Sequence, residues 1–551
     1  MLLINPKINK KTDIPGLTIL RGTAALLVAI HHFGLISLQL RGAEIGPLLS
    51  KFGLLGMSLF FVLSGFVINY SYRNQITSNG SSGVKNFLVA RIARLAPLYL
   101  LFIVVNFFIN CLFLDPSGYL LYLKSLPVNL LAMQSWLYVK LHGAEIVNTQ
   151  NLANISWSIS TEWLLYLLYI PFAFFILRGK GSLKKAFLIL FSGIFFRVLL
   201  IETVAESIVI DGNKFGEWLI YYSPYGRWFE FMSGIGLSEI WLRRYEITRK
   251  LSVFIWCLVA FSVLYIFFSL FDALLINVPT LFAGYRAYGG YAVAAPFIIY
   301  LACNLRVSGK TAIFLTPLLF LGEISYSVYL LHGDLISLFT VSGPLSIGGY
   351  SIKAFFFFSW LFLLSMLSFM FIEMPGKNLV IRYAKYLSQP KPPTPWAERL
   401  TFCKVYARRN SLILSALVLL LFTAFYLAPS PNYKTRINDL SRIKVAIEMY
   451  RKERGNYPVA DYSSLISSKF VINDDWIPGL APKYISSLPR DVRKNNMPGQ
   501  QYLYVSDGKE YKLVAHGVDD SEMVKKKMPG LIDPRRPDMS YGFWTAGARD
   551  W

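Results

Sequence analysis

The chain has 551 residues, of which 54% are hydrophobic and 16% are charged, and its formal net charge is +23 at pH 7. This apolar balance is rare in water-soluble globular proteins and predicts that much of the chain faces lipid. The basic residues gather in short loops between apolar stretches, as in membrane proteins generally, so they do not indicate nucleic-acid binding. The four cysteines have no paired spacing, which argues against a disulfide framework or a metal-binding cysteine cluster.

Eleven apolar stretches have about the twenty residues needed to cross a hydrocarbon core of about 30 Å. They lie near residues 17–38, 53–72, 96–114, 160–177, 186–201, 218–242, 251–271, 288–304, 314–338, 354–372 and 411–428. The stretch 186–201 is short and is expected to be tilted or partly re-entrant. The pattern predicts an all-α polytopic membrane bundle of about ten helices with an eleventh helix as a tether.

The loops between these spans alternate in charge. Loops on the side of the N-terminus carry 25 Lys and Arg residues, whereas the opposite loops before the C-terminal tail carry 7. Because Lys and Arg accumulate on the cytoplasmic side, the N-terminus is predicted to be cytoplasmic and the tail extracytoplasmic. We therefore expect a multi-pass protein of the bacterial inner membrane whose C-terminal domain is periplasmic.

Composition divides the chain into four parts. They are a membrane bundle at 1–380, a Pro-rich cytoplasmic linker at 381–410, the eleventh helix at 411–429 and a soluble domain at 430–551. The soluble domain opens with apolar residues at helical spacing that stop at Gly455, and strands at 502–505 and 511–514 flank an Asp507-Gly508 hairpin turn. The predicted domain is therefore small and α+β.

Ionisable residues inside membrane spans are costly and are candidates for function. Arg21 and His32 lie eleven residues apart in the first span, so they share one helix face and are about 16 Å apart along its axis. A guanidinium near the cytoplasm and an imidazole deeper in the membrane suit a ligand with an anionic end and a reacting end, such as acyl-coenzyme A. His31 points about 100° away and is expected to be a packing or hydrogen-bonded residue.

A second basic pair, Arg91 and Arg94, lies one helical turn apart where the third span leaves the cytoplasm. Residues at this spacing face the same way, so the pair is expected to hold phosphates near Arg21.

Glu373 lies at the inner end of its span, and the simplest interpretation is that its carboxylate lies at the membrane surface. The Gly-rich stretch 53–66 is expected to serve helix packing.

Three further polar residues lie within predicted spans. Glu162 and His332 fall toward the outer ends of their spans, where an acceptor would arrive from outside, and Arg227 is a buried cation. We assign Glu162 and His332 to catalysis, orienting the acceptor or the imidazole of His32, and Arg227 to cofactor binding. No metal site is predicted.

The ordered motifs resemble the acyltransferase family 3 of integral-membrane O-acyltransferases over about residues 12–380. The segments that carry the resemblance are Arg21-x10-His32, 60–66, Arg91-x-x-Arg94, 157–163 around Glu162, and Ser325-Tyr326 through His332. The resemblance implies transfer of an acyl group, commonly acetyl from cytosolic acetyl-coenzyme A, to a hydroxyl of an envelope or exported carbohydrate or glycolipid. It also implies that His32 is essential and that Arg21, Arg91 and Arg94 bind the donor.

The tail resembles the globular part of a type II secretion major pseudopilin over about residues 430–520, in the segments 443–458, 488–491 and 502–508. It lacks the processed start of a pilin helix, so a displayed domain that contacts an envelope protein is expected, not a filament subunit. Pseudopilins of this kind bind calcium in an acidic loop. Here Asp519, Asp520 and Glu522 are followed by three lysines, which favours a solvated charged loop.

Two alternatives remain open at this point. The first is a transporter or flippase of a lipid-linked glycan, which predicts paired discontinuous helices and internal repeats. The second is a membrane-anchored interaction module, in which the pseudopilin-like tail is the essential part.

Overall fold

The structure is a computed structural model that describes residues 14–38, 45–113, 124–141, 144–145, 154–179, 181–211, 214–272, 291–305, 310–339, 347–388, 432–460, 476–491, 502–518 and 520–551. These residues fall into two compact units, the first containing those up to Ser388 and the second those from Asn432. The first unit is the predicted membrane bundle and the second is the predicted soluble domain.

The first unit is almost entirely helical. Its helices are α1 (Pro15–His32), α2 (Gly46–Phe113), α3 (Trp157–Phe172), α4 (Leu183–Asp211), α5 (Pro224–Leu242), α6 (Arg249–Asp272), α7 (Ala295–Cys303), α8 (Lys310–Glu323), α9 (Ser325–Leu338), α10 (Ile347–Ser368) and α11 (Met374–Ser388), with a short helix at Lys214–Glu217. Five-residue π-helical turns at Phe33–Ser37, Ala173–Leu177, Trp218–Tyr222 and Phe369–Glu373 adjoin these helices. Two-residue strands β1 (Lys140–Leu141) and β2 (Ala144–Glu145) form an antiparallel hairpin.

Helix α2 reverses direction at Gly80. This glycine has φ +52° and ψ −127°, a conformation that residues with a Cβ rarely adopt. The rings of Tyr72 and Phe87 lie 5.2 Å apart, whereas a straight helix would separate these positions by about 22 Å. The helix therefore supplies two antiparallel arms, 46–79 and 81–113, which correspond to the second and third predicted spans.

Within the described residues, six helices are long and apolar enough to cross a membrane, and the bent pair α8 and α9 makes a seventh. This count is lower than ten because α2 counts once, α7 is short, and α5 carries Arg227, Glu230 and Glu239. Each of the ten predicted bundle spans nevertheless coincides with a helical element, which confirms the all-α membrane bundle. The eleventh predicted span, 411–429, lies outside the described residues.

Three details differ from the sequence-based expectation. Helix α4 has 29 residues and is a full-length span, not a short re-entrant segment. The ninth predicted span is broken into α8 and α9, which meet at an angle of 63°. Residues 381–388 continue α11 and are not part of a Pro-rich linker, while the rest of that linker lies outside the described residues.

Glycines bring neighbouring helices into backbone contact. A Cβ at Gly65 of α2 would lie 2.0 Å from the carbonyl oxygen of Phe231 in α5. On the facing helix, a Cβ at Gly234 of α5 would likewise lie 2.0 Å from the carbonyl oxygen of Val62 in α2. Since no larger residue fits at either position, small residues set this helix spacing, and the packing role predicted for 53–66 is confirmed.

The second unit combines a long helix with an antiparallel sheet. Helix α12 (Asn432–Arg454) ends at Gly455, whose φ of +80° suits a helix terminus. Strands β3 (Tyr502–Ser506), β4 (Tyr511–His516) and β5 (Ser540–Trp544) pair in the order β3-β4-β5, and a short helix α13 (Ser521–Lys527) precedes β5. The α+β prediction and its hairpin are confirmed, while the third strand was not predicted.

A buried ion cluster holds α12 against the rest of this unit. The guanidinium of Arg436 lies 3.1 Å from Asp491 and 2.5 Å from Asp520, and the hydroxyl of Tyr541 donates to Asp520 over 2.9 Å. Burial alone would lower the pKa of Arg436, but the two carboxylates outweigh it and raise the pKa above its ordinary value. Asp520, expected in a solvated loop, is therefore a buried structural residue.

Candidate active site

A cavity of about 140 Å³ lies inside the bundle. Its lining residues come from α1, both arms of α2, α3 and α9; they are Leu17, Arg21, Met57, Phe60, Phe61, Leu63, Ser64, Val67, Ile68, Arg91, Arg94, Leu95, Ser158, Ile159, Glu162, Tyr166, Ser325, Tyr326 and Tyr329. Within each helix most of these residues recur every three or four positions, so each helix presents one face to the cavity. The cavity is thus a shared product of five predicted spans.

Three arginines give one part of this cavity a positive charge. Arg91 donates from Nη2 to the hydroxyl of Tyr72 over 2.9 Å, and Arg94 forms an ion pair with Glu373. The Nε of Arg21 is buried and has no hydrogen-bond partner among the described residues. The structure therefore brings together the three residues that were predicted to bind an anionic donor.

Glu373 is not an interfacial residue. It is 1% exposed, its Oε2 accepts a hydrogen bond from Ser327 over 3.1 Å, and its other oxygen pairs with Arg94. Glu373 is the last residue of a π-helical turn, a geometry that is frequent at functional sites. Local sequence patterns do not reveal this pairing because the two partners lie 279 residues apart.

The break between α8 and α9 adds a second source of positive potential. Ser325 and Tyr326, the first residues of α9, both line the cavity. The first backbone N–H groups of a helix have no partner within the helix, and the helix dipole makes this end positive. The break lies close to α1, since a Cβ at Gly322 would be 2.0 Å from the carbonyl oxygen of Thr18. The three arginines and this helix end together suit an anionic group.

Glu162 lies in the arginine cavity. Its carboxylate accepts hydrogen bonds from the hydroxyls of Ser64, over 2.6 Å, and Tyr166. The ring of Tyr166 in turn lies 5.8 Å from the Arg91 guanidinium. Of the two residues predicted to orient His32 or the acceptor, Glu162 therefore contacts the donor side of the site.

His32 and His332 form a pair, although they are 300 residues apart in sequence. The Nδ1 of His32 is 2.9 Å from the Nε2 of His332, and the two rings are stacked. The Nδ1 of His332 lies 2.6 Å from the carbonyl oxygen of Tyr329, which can only accept, so this nitrogen carries the proton. The Nε2 of a neutral His332 is then an acceptor, and His32 donates to it from Nδ1.

This hydrogen-bond order fixes the tautomer of His32. With its proton on Nδ1, a neutral His32 has its lone pair on Nε2, the nitrogen available to remove a proton. The pattern places a fixed imidazole behind His32, an arrangement in which one group orients a neighbouring base. The chemistry that the pair supports is general-base catalysis.

His31 has the structural role expected of it. Its Nδ1 donates to the carbonyl oxygen of Leu49 over 2.8 Å, and its ring lies 4.7 Å from that of His32. A Cβ at Gly53 would lie 2.7 Å from the His31 ring, so this glycine makes room for the imidazole.

Arg227 is buried beside the cavity and is not one of its lining residues. It pairs with Glu230 over 2.8 Å and donates from Nε to the carbonyl oxygen of Tyr221 over 2.8 Å. Arg197, which the sequence pattern did not single out, reaches the same carboxylate at 3.4 Å. Both of these Arg227 contacts are with protein groups, and cofactor binding by Arg227 stays a prediction.

In the part of the chain that the structure describes, no three His, Cys, Asp or Glu residues are grouped so as to hold a metal ion. The arginines and the N-terminus of α9 suit an anionic group, and the histidine pair suits a reacting hydroxyl.

Known proteins resemble this chain over about two thirds of its length. A family model described as an acyltransferase domain matches residues 14–374. The chain is similar to the peptidoglycan O-acetyltransferase OatA of Listeria monocytogenes, with 27% identity over 394 residues that cover 68% of this chain and 57% of that protein. It is also similar to the O-acetyltransferase OatA of Staphylococcus aureus, with 22% identity over 393 residues that cover 69% and 59%. The chain therefore spans less than two thirds of these relatives, and no solved structure matches it.

Proposed function

The chain belongs to the acyltransferase 3 family, and from this premise we propose that it is a membrane-bound O-acyltransferase acting on a hydroxyl of a cell-wall or exported carbohydrate. The observation that carries the proposal is the His32–His332 pair, which leaves a base on the same face of α1 as Arg21. The names of the two relatives support acetyl as the transferred group and peptidoglycan as the class of acceptor.

The donor in this proposal is acyl-coenzyme A, most simply acetyl-coenzyme A. Its phosphates bind Arg21, Arg91 and Arg94, at the end of the bundle for which the loop charges predict a cytoplasmic position. Glu162 faces the same cavity and is suited to accept a hydrogen bond from an amide N–H of the pantetheine arm.

The reaction is a direct transfer in this mechanism. The Nε2 of His32 removes the proton of the acceptor hydroxyl while the oxygen attacks the thioester carbonyl. The carbon–sulfur bond breaks, the thiolate leaves and the proton on His32 passes to it, so that the products are an ester and free coenzyme A. His332 holds His32 in the required tautomer throughout. A route through an acyl-His32 intermediate uses the same groups.

The test is mass spectrometry of cell-wall and exported glycans from cells with the intact chain, with His32→Ala or with no copy. We expect a mass increment of one acyl group with the intact chain alone. A matched control is His31→Gln, which alters the neighbouring imidazole and should keep the increment. Identical spectra in all four strains would contradict the proposal.

The transporter alternative is decided by the same spectra. It predicted paired discontinuous helices, and among the described residues one broken pair, α8 and α9, is present. A transporter without transferase activity would change the amount or location of a glycan without adding an acyl mass.

The soluble tail is proposed to contact an envelope protein, and its likeness to a pseudopilin stays a prediction. Deleting 431–551 tests whether the tail is the essential part. We expect the deletion to keep acyl transfer in the bundle, whereas complete loss, with the truncated chain still present in the membrane, would favour the interaction-module alternative.

A further inference from the structure

Two aromatic rings lie in the cavity wall where it comes near the histidine pair. Phe60 and Tyr329 both line the cavity, and their rings meet edge to face with centroids 5.6 Å apart. The ring of Tyr329 also lies 5.7 Å from that of His332, whereas neither His32 nor His332 lines the cavity. Tyr329 therefore links the cavity wall to the histidine pair, and Phe60 lies against it.

Tyr329 is fixed in place by hydrogen bonds. Its hydroxyl accepts from the Oγ of Ser158 over 2.6 Å and donates to the carbonyl oxygen of Ile155 over 3.0 Å. Its own carbonyl oxygen accepts from the Nδ1 of His332. Moving this residue would break three hydrogen bonds at once, including the one that sets the tautomer of the histidine pair.

Phe60 has no such anchor. Its side chain has no polar atom, and it is partly exposed in the wall of the cavity. Because Tyr329 is fixed, the size of the side chain at residue 60 sets how much room the cavity has beside the Tyr329 ring.

We propose that Phe60 limits the length of the acyl group that this protein accepts. The inference rests on the proposed function, since it takes an acyl thioester as the donor whose acyl end lies between Phe60 and Tyr329. One extra methylene in a filled apolar pocket typically changes selectivity by about 10- to 200-fold. Acetyl thioesters are accepted, and each added methylene meets the Phe60 ring.

The experiment measures binding and needs no knowledge of the acceptor. Full-length protein in lipid nanodiscs binds radiolabelled acetyl-coenzyme A, which is displaced by unlabelled acetyl-, propionyl- or butyryl-coenzyme A. In the unaltered protein we expect butyryl-coenzyme A to bind at least about 10-fold more weakly than acetyl-coenzyme A. Phe60→Ala should bring the two within about threefold, and Phe60→Leu, a milder change, should lie between them.

Phe66→Ala is the matched control. Phe66 lies on the same arm of α2, is fully buried against Tyr70 and does not line the cavity, so its loss should weaken folding and leave the selectivity ratio unchanged. Equal binding of both thioesters by the unaltered protein, or an unchanged ratio in both Phe60 variants, would overturn the inference and leave the proposed donor standing. Failure of the unaltered protein to bind any coenzyme A thioester would overturn the proposed donor, and this inference with it.

Discussion

The contact between His332 and His32 gives the sharpest prediction for catalysis. Replacing His332 by Leu removes the acceptor of the His32 Nδ1 proton in a place where His332 itself is fully buried. Replacing it by Gln keeps an oxygen that can accept the same hydrogen bond. The two variants thus separate the loss of a hydrogen bond from the loss of a ring.

The expected magnitude follows from the cost of a buried donor without an acceptor, about 1–3 kcal/mol. If that cost falls on the orientation of the base in the transition state, it corresponds to a decrease of about 5- to 150-fold in kcat. His332 does not line the arginine cavity, so the KM for the donor should stay within about twofold. The Gln variant should recover most of the lost kcat.

The assay is transfer of labelled acetyl from acetyl-coenzyme A into isolated cell-wall glycan by full-length protein in nanodiscs. Phe66→Ala, which touches neither part of the site, controls for general loss of folded protein. A Leu variant with unaltered kcat would refute the assigned role of His332. A loss found entirely in the donor KM would also refute it, because the pair would then belong to donor binding.

Four further predictions concern other parts of the chain. Arg91→Ala should raise the donor Kd about 10-fold and largely keep turnover at saturation, and unchanged affinity in a binding assay would contradict its role. Gly65→Ala places a Cβ 2.0 Å from a backbone oxygen of Phe231, so the Tm in detergent should fall by several degrees, as for overpacking of about 1–3 kcal/mol. In the tail, Arg436→Met should cost about 3–5 kcal/mol, seen as faster proteolysis of the second unit. Burial raises the pKa of the Asp439 carboxyl in the folded tail. The protonated carboxyl therefore favours the folded state at low pH, and this stabilisation is lost as the pH rises from the ordinary pKa of 3.8 through the higher folded-state pKa. Asp439→Asn should reduce the resulting pH dependence of the urea midpoint.

The architecture of the bundle was accessible from sequence because lipid imposes simple rules. The length of an apolar stretch, the charge of a loop and the small residues at a close helix crossing, as in 53–66, can each be recognised from residues that are near one another in the chain. The bend between α8 and α9 was harder to predict, because it replaces one span of ordinary length by two short helices.

The partners of the site residues depend on long-range contacts and were less accessible. Its spacing of one helical turn from Arg91 marks Arg94 as a candidate, but its partner Glu373 comes from a helix end that the pattern had placed at the membrane surface. Similarly, the spacing of Arg21 and His32 predicts a shared face, but nothing in that spacing selects His332 over Glu162 as the neighbour of the imidazole.

The separation of the two ends of the site has a consequence for how the donor is used. Arginines and Glu162 line the cavity, whereas His32 and His332 lie outside its lining, so donor binding and acyl transfer involve different side chains. Tyr329 belongs to both parts, since its ring lines the cavity and its carbonyl oxygen sets the tautomer of His332. Because one residue joins the wall of the donor cavity to the orientation of the base, a donor that shifts Tyr329 together with its backbone would also disturb the base. Occupation of the cavity by a donor of the wrong length should therefore lower turnover even where the donor still binds.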